Sequence, residues 1–315
     1  MKYRKRKFFA GECLHVYQRT IGGVNIFYDR IDYLVYYTIF STISKLYDVI
    51  ILELCIMLDH VHILIMANKL EEVASFMRHY TSHFVQVYNQ EIGRHGPIFY
   101  KSYGSAPKRG SKKIRSTIVY IGNNPVEKSI CLDASKYRWN FLAYASDSNP
   151  YSEKVPLNKC LPRIRAILKE IQKSQQCNSY LSYAQLRRMF KGLSDNEIEF
   201  VTDFIISTYY PFDTSTLLSF YNSYEDMITA MKSTSGSEYE IKEKFYLGSD
   251  KVYEKMIKYV KEILDIKPVR LITTLNIDVK FEIAKQLQKA TMCSSIQLAK
   301  FLHMKFNDEN DQENS

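Results

Sequence analysis

Paired cysteines, an unbroken apolar run and internal repeats are all missing from the 315-residue sequence, and each absence excludes something. The six cysteines are Cys13, Cys55, Cys131, Cys160, Cys177 and Cys293, and none lies within four residues of another. A CxxC zinc or redox motif is therefore excluded, and scattered thiols of this kind read as reduced. The long apolar stretch 49–66 is broken by Glu53, Asp59, His60 and His62, so it is not expected to enter a membrane. The opening MKYRKRKFF is basic with no apolar core behind it, so no secretory signal is expected and the expected location is the cytoplasm. Wholesale disorder is also excluded. Hydrophobic residues make up 46% and charged residues 24%, enough apolar surface to offset the entropy of ordering. At roughly 150 residues per domain the length suggests two domains.

Acidic residues are scarce in one half only. Residues 1–150 hold 20 Lys and Arg against 12 Asp and Glu, whereas the rest of the chain holds 23 against 22. Nearly the whole net charge of +9 thus belongs to the first half. One cluster is Lys2, Arg4, Lys5, Arg6 and Lys7. The other is Lys101, Lys108, Arg109, Lys112, Lys113 and Arg115, with no acidic residue between 101 and 115. Gly104, Pro107 and Gly110 mark the second cluster as a loop, and Phe99, Tyr100 and Tyr103 give it aromatic faces. Cations beside exposed aromatics suit a sugar-phosphate backbone and unstacked bases. A merely solvated loop and a frayed terminus are the bland alternative.

Glu12 to Arg19 alternates as a strand, and Gly22-Gly23 breaks it. Asp29 is placed to cap a helix running to about Tyr47. Val49–Met57 and Val61–Ala67 read as two strands joined at Leu58-Asp59. Glu71-Glu72 open an amphipathic helix that runs to about Gln90. Ile98–Tyr103 reads as a short strand, and Lys112–Asn123 as a helix stopped by Pro125. The expected fold class is α+β, with an N-terminal antiparallel sheet and flanking helices followed by an all-α region. A Ser-, Asn-, Pro- and Lys-rich stretch at 143–160 marks the linker, which gives domains at 1–148 and 149–306. The acidic end, 307–315, is expected to be disordered. Helices are expected at Leu161–Gln175, Tyr183–Phe190, Asp195–Thr208, Ser215–Lys232, Asp250–Leu264, Val279–Ala290 and Ser294–His303.

His60 and His62 are two apart, so a strand would put both imidazoles on one face, a two-pronged clamp with open coordination positions for a divalent metal. By itself such a pair is more often two ordinary histidines. His79 and His83, at i and i+4 on a helix, form a competing pair. They lack the glutamate of HExxH and read better as a polar stripe. Tyr120 and Asn124 are also i and i+4, so they share a helix face just before Pro125. One tyrosine among 25 says little, and a buried ring near a helix end is the plain reading.

The order of fragments changes that weighting. His15-Val16-Tyr17-Gln18-Arg19-Thr20, Phe27-Tyr28-Asp29 and Asp32-Tyr33-Leu34 come first. Met57-Leu58-Asp59-His60-Val61-His62-Ile63-Leu64 then resembles M-x-N-H-V-H-L-L, and Gly96-Pro97-Ile98-Phe99 resembles G-x-L-F. Tyr120-Ile121-Gly122-Asn123-Asn124-Pro125-Val126 is similar to Y-I-H-x-N-P-V, and Trp139 falls where a closing Y-x-W ends. Together, over about residues 10–145, these fragments resemble the REP-associated tyrosine transposases, single-tyrosine HUH transposases of the insertion-sequence 200/605 group. Three departures stand out. Asp59 replaces the usual Asn. Gly122 replaces the usual His, and since glycine weakens a helix by about 1 kcal/mol relative to alanine, the tyrosine helix is expected to be looser. Glu127-Lys128-Ser129 stand where R-A-G is usual.

The resemblance implies a ferredoxin- or RRM-like HUH domain whose sheet carries His60 and His62 while a helix brings Tyr120 across from them. It implies attack by Tyr120 on single-stranded DNA to leave a 5′-phosphotyrosine and a free 3′-hydroxyl that can later rejoin. His60, His62 and Asn124 would hold Mg²⁺ or Mn²⁺. Arg4, Lys5, Arg6, Lys7, Arg19 and the basic loop (Lys101, Lys108, Arg109, Lys112, Lys113, Arg115) would hold the backbone of palindromic hairpin ends. Nucleoid association, and action either singly or as a homodimer, follow from the same source. A tyrosine of pKa about 10 is ionised only to roughly 0.1% at neutral pH, so the metal must do much of the activation. A catalytically silent DNA-hairpin binder with the same fold is the alternative. In the second half, residues 280–303 read as a helix-turn-helix start, with Ile283, Ala284, Leu287, Ile296, Ala299 and Leu302 facing inward.

Overall fold

Strand β1 (Cys13–Arg19) turns Leu14 and Val16 to one face and Cys13, His15, Tyr17 and Arg19 to the other, as a period of two requires. It is the hub of the sheet in this computed structural model, which describes residues 6–100, 103–233 and 249–304. With β2 (Val49–Ile56), β3 (His60–Ala67) and β4 (Gly104–Lys108) it forms a four-stranded antiparallel sheet in the order β2-β3-β1-β4. Helices α1 (Arg30–Ser44) and α2 (Leu70–Ile92) bury the face bearing Leu14, Val16, Val61, Ile63 and Ile65. Helix α3 (Ser111–Glu127) covers the opposite face, against Cys13, Cys55 and Leu64. The fold is α+β, as expected.

Local chemistry sets the helix starts. Asp29 accepts from the Ile31 and Asp32 backbone N–H groups, and Asp32 returns the capping box by accepting from Tyr28 and Asp29. Such a cap stabilises a helix by about 1 kcal/mol. In the second half α4 (Pro162–Gln176), α5 (Tyr183–Phe190) and α6 (Asp195–Thr208) share one apolar core with α1 and α2. Helix α7 (Thr214–Leu218) and α8 (Tyr224–Ser233) pack with α3, while α9 (Lys251–Glu262), α10 (Ile277–Thr291) and α11 (Ser295–Leu302) gather around Tyr28 and Leu58. Arg270, fully buried, ties this last group to the first half. It donates to Asp32 Oδ1 at 2.9 Å, Asp29 Oδ2 at 3.0 Å and Glu91 Oε1 at 3.2 Å, and its guanidinium lies over the Tyr183 ring.

Several sequence expectations are corrected. Residues 98–100 form no strand; among the described residues of that stretch an isolated bridge joins Phe99 to Thr20, and the edge strand lies at Gly104–Lys108. Gly104 is required there because the Tyr17 ring lies on it: a Cβ would stand 2.0 Å from Tyr17 Cζ. The basic segment 104–115 is thus β4 and the first turn of α3 rather than a loop. Helix α3 does not stop before Pro125 but runs two residues past it, because the turn is held by Lys128 N donating to Asn124 O at 3.1 Å. The stretch 215–232 is two helices. In α11 the inward residues are Leu298, Phe301 and Leu302, while Ile296 is exposed. These three pack into the cluster around Tyr28, Tyr253 and Leu287. Residues 307–315 lie outside the described residues. Among the described residues, no helix is long and apolar enough to cross a membrane.

Candidate active site

His60 opens β3, and the two-residue period carries His62 to the same face, toward α3. The antiparallel register places Arg19 opposite His60 and Tyr17 opposite His62. From above, α3 lowers Tyr120 and Asn124 onto this patch. The Tyr120 ring stands edge-on to His62 with centroids 5.4 Å apart, and His60 and His62 are 5.0 Å apart. Asn124 Oδ1 lies 3.5 Å from His60 Nε2, and Asn124 Nδ2 donates to the Tyr120 carbonyl at 3.1 Å, which fixes the way the amide faces. The four residues singled out from sequence therefore meet at one point.

Two further side chains complete the arrangement, and sequence reasoning gave neither a role. Asp59 Oδ1 sits 2.5 Å from His60 Nδ1. His15 Nε2 sits 3.0 Å from His62 Nδ1. Each imidazole is thus held through Nδ1, which leaves Nε2 as the nitrogen aimed at α3. Burial and then the Lys108 charge lower His15 to about 3. Burial followed by His60, His15 and Arg19 lowers His62 well below its ordinary value. Both are neutral imidazoles at physiological pH. Burial alone raises the Asp59 carboxyl, but His60, Lys300 and Arg19 around it hold it well below the usual carboxylate range. Lys300 comes from α11, 3.7 Å from Asp59 Oδ2. Only the position of Asp59 next to a histidine was a signal in the sequence; His15 depends on a strand register that no local pattern encodes.

The site is closed. Tyr120 is 2% exposed, His60 3% and His62 0%, so the expected gap for a phosphate between phenol and imidazoles is not open in this conformation. The half-buried Tyr17 ring lies beside the patch, 6.0 Å from His15 and 6.4 Å from His62. Gly122 has a clear local reason. A Cβ there would stand 2.7 Å from Met231 Cε and 3.1 Å from Leu142 Cδ1, and Asn123 Nδ2 donates to the Met231 carbonyl at 2.8 Å. Rather than loosening the tyrosine helix, glycine lets α8 dock directly on it.

The cations expected to face DNA separate into groups. Lys112, Lys113 and Arg115 are exposed on the first turns of α3, and Arg115 lies over the Tyr221 ring at 4.9 Å. Arg109 is exposed, stacked on Phe9 and 3.6 Å from Glu12. Arg6 lies over the Tyr103 ring at 4.0 Å, and Lys7 is exposed. Lys108 is buried at the end of β4, opposite Cys13 and so on the sheet face that carries His15. Arg19 is half-buried beside Asp59. Arg4, Lys5 and Lys101 lie outside the described residues. Of the three aromatic neighbours only Tyr100 is exposed; Phe99 and Tyr103 are buried. His79 bonds the Tyr47 hydroxyl at 2.9 Å, and His83 stands edge-on to Tyr180, so neither joins a metal cluster. Among the described residues, no group of three or more His, Cys, Asp or Glu is arranged to hold a metal ion.

Comparison with known proteins gives three results. No curated protein matches the chain. A solved structure described as "Structure of the REP associates tyrosine transposase bound to a REP hairpin" aligns with a TM-score of 0.38 at 15% identity, covering 44% of this chain and 81% of that one. Residues 13–124 match the family described as "Transposase IS200 like", a span that begins with β1 and ends on Asn124. That span is a little over a third of the chain, and over it the chain is similar to the IS200-like transposases.

Proposed function

We propose that the protein is a strand transferase for single-stranded or hairpin DNA, with Tyr120 as the nucleophile. The observation that carries this reading is the meeting of Tyr120 and Asn124 from α3 with His60 and His62 from β3, both imidazoles braced from behind by Asp59 and His15. In the reaction Tyr120 Oη attacks the scissile phosphorus and the bond to the 3′ oxygen breaks. That oxygen leaves as a hydroxyl after taking up a proton, and the 5′-phosphate stays on the tyrosine. Attack by a 3′-hydroxyl on the phosphotyrosine reverses these bonds and rejoins the strand.

The donor set fits a divalent cation. Held by Asp59 at Nδ1, His60 turns Nε2 toward the oxygen of Asn124 at 3.5 Å, a spacing that a proton or a metal ion between the two can bridge. Two acceptors facing each other repel unless a proton or a metal ion lies between them. His60, His62 and Asn124 would hold Mg²⁺ or Mn²⁺, which supplies charge neutralisation at the phosphate. Asn124 also holds the helix turn that carries Tyr120, and Asp59 and His15 keep the imidazoles in one tautomer. The exposed cations of α3 (Lys112, Lys113, Arg115), with Arg109 and Lys7, offer phosphate contacts along one side.

A second reading is favoured by the burial of Tyr120: a hairpin-binding protein of the same fold that performs no chemistry. Incubation of the full chain with a hairpin bearing a single-stranded flank and Mn²⁺, followed by a denaturing gel, separates the two. A protein–DNA band that disappears in Tyr120→Phe supports the transferase. Identical lanes leave the binder.

A further inference from the structure

A cleft of about 530 Å³ opens between α1, the 136–151 segment and α9, outside the spot where Tyr120 and the histidines meet. Its size falls in the range of small-ligand sites. One wall is aromatic. Trp139 stacks on Tyr33 with ring centroids 4.4 Å apart and planes 7° from parallel, and Tyr151 and Tyr253 continue that surface. Polar groups of both signs line it: Arg30 and Arg138, both paired with Glu199, and the carboxylates of Asp250 and Glu254.

The cleft is joined to the proposed reaction centre. Asp250 and Tyr253 also line a smaller recess whose other walls are Arg19, Asp59, Lys128 and Lys300. Asp59 is the residue that holds His60. Asp250 N donates to the Lys128 carbonyl at 2.9 Å, so the start of α9 is pinned to the end of the tyrosine helix. Asp250 and Tyr253 thus stand between the aromatic wall on one side and Arg19, Lys128 and Lys300 on the other, next to the residue that holds His60.

We propose that this cleft is a subsite for one unstacked nucleotide of the DNA strand, its base against the Trp139 wall and its phosphate in the Arg19–Lys128–Lys300 recess. The proposal rests on the DNA-processing reading above. Base faces stack on aromatic rings, base edges offer donors and acceptors together, and the phosphate needs cations at one end only. The cleft and its recess have all three features in that spatial order. Asp250, Tyr253, Glu254 and Lys300 come from beyond residue 124, so this subsite is an addition of the helical half to the family-matched span.

Trp139 is the chain's single tryptophan, so its emission reports directly on the cleft. The full chain is titrated with a hairpin carrying a single-stranded flank, with the same hairpin made abasic at one flank position at a time, and with deoxyadenosine monophosphate. The expected result is saturable quenching by the intact flank. One abasic position should abolish the quenching and weaken binding about tenfold, since a stacked base contributes on that scale. Lys300→Gln should weaken binding of the intact flank in a variant that still unfolds cooperatively. Emission that ignores every flank position overturns the proposal, and so does quenching that is equal across the abasic series. Quenching by the mononucleotide as tight as by the strand overturns it in favour of a free-nucleotide site. The covalent band is scored on the same samples. A band with silent Trp139 sinks the subsite and spares the transferase, whereas quenching without a band keeps the subsite and sinks the transferase.

Discussion

Gly122 is the sharpest point at which to test how the two halves cooperate. A side chain there meets α8: Met231 Cε and Sδ would lie 2.7 and 2.9 Å from a new Cβ, and Leu142 Cδ1 3.1 Å away. Gly122→Ala regains about 1 kcal/mol of helix propensity. Only the far end of a flexible methionine must shift, so Ala should stay within about 1 kcal/mol of wild type. Gly122→His, which restores the residue usual in the resembled family, cannot be absorbed in that way. Overpacking costs about 1–3 kcal/mol, and displacing α8 also breaks the Asn123–Met231 hydrogen bond, worth about 1 kcal/mol. Histidine recovers roughly half a kcal/mol of propensity, which leaves a net loss of about 1.5–3.5 kcal/mol. Met231→Ala makes room at its own cost of about 2–5 kcal/mol. If the contact is what matters, the double variant should fall short of the summed losses by at least about 1 kcal/mol. Urea unfolding of the four proteins measures this cycle. A Gly122→His variant as stable as wild type, or strict additivity in the double variant, would refute the idea that glycine is there to admit α8.

Three other outcomes are expected. His303, bonded to the Asn25 carbonyl at the end of α11, is lowered to about 4 by burial, with Lys280 and Arg94 contributing against the raising effect of Asn25. The unfolded chain then takes the proton first, so this histidine's contribution is whole above about pH 6.5. It fades by about 2–3 kcal/mol as pH falls toward 4. His303→Asn, which tolerates the left-handed backbone found there, should flatten that part of the difference in melting temperature between wild type and variant. His15→Ala releases the brace behind His62 and should weaken Mn²⁺ binding about tenfold, measured by calorimetry; unchanged affinity would remove His15 from the site. Replacing Lys112, Lys113 and Arg115 together by Gln should lower the slope of log K against log salt for single-stranded DNA by about 2, and an unchanged slope would place the DNA elsewhere.

Short-range pattern was legible in the sequence wherever local geometry suffices. The two-residue period put His60 and His62 on one face, the i, i+4 spacing put Tyr120 with Asn124, and Asp29 announced its cap three residues before it was satisfied at Asp32. Helices α5 and α6 fall within their expected bounds because Ser182 and Ser194 carry complete capping boxes. Each of these rests on interactions within one or two turns or along one strand, which any sequence window contains.

The rest was decided by contacts between distant residues. His15 reaches His62 only through the β1–β3 register, and Lys300 reaches Asp59 across 241 positions because α11 docks on the 25–28 segment. The edge strand moved to Gly104–Lys108 because that is where Tyr17 leaves space for a backbone without a side chain. Gly122 reads as a weakness when α3 is considered alone and as a docking slot once α8 is in place. Spacing along the chain sets which face a side chain occupies. What stands opposite that face depends on strand register, close packing and the closure of long loops, and these belong to the folded molecule as a whole.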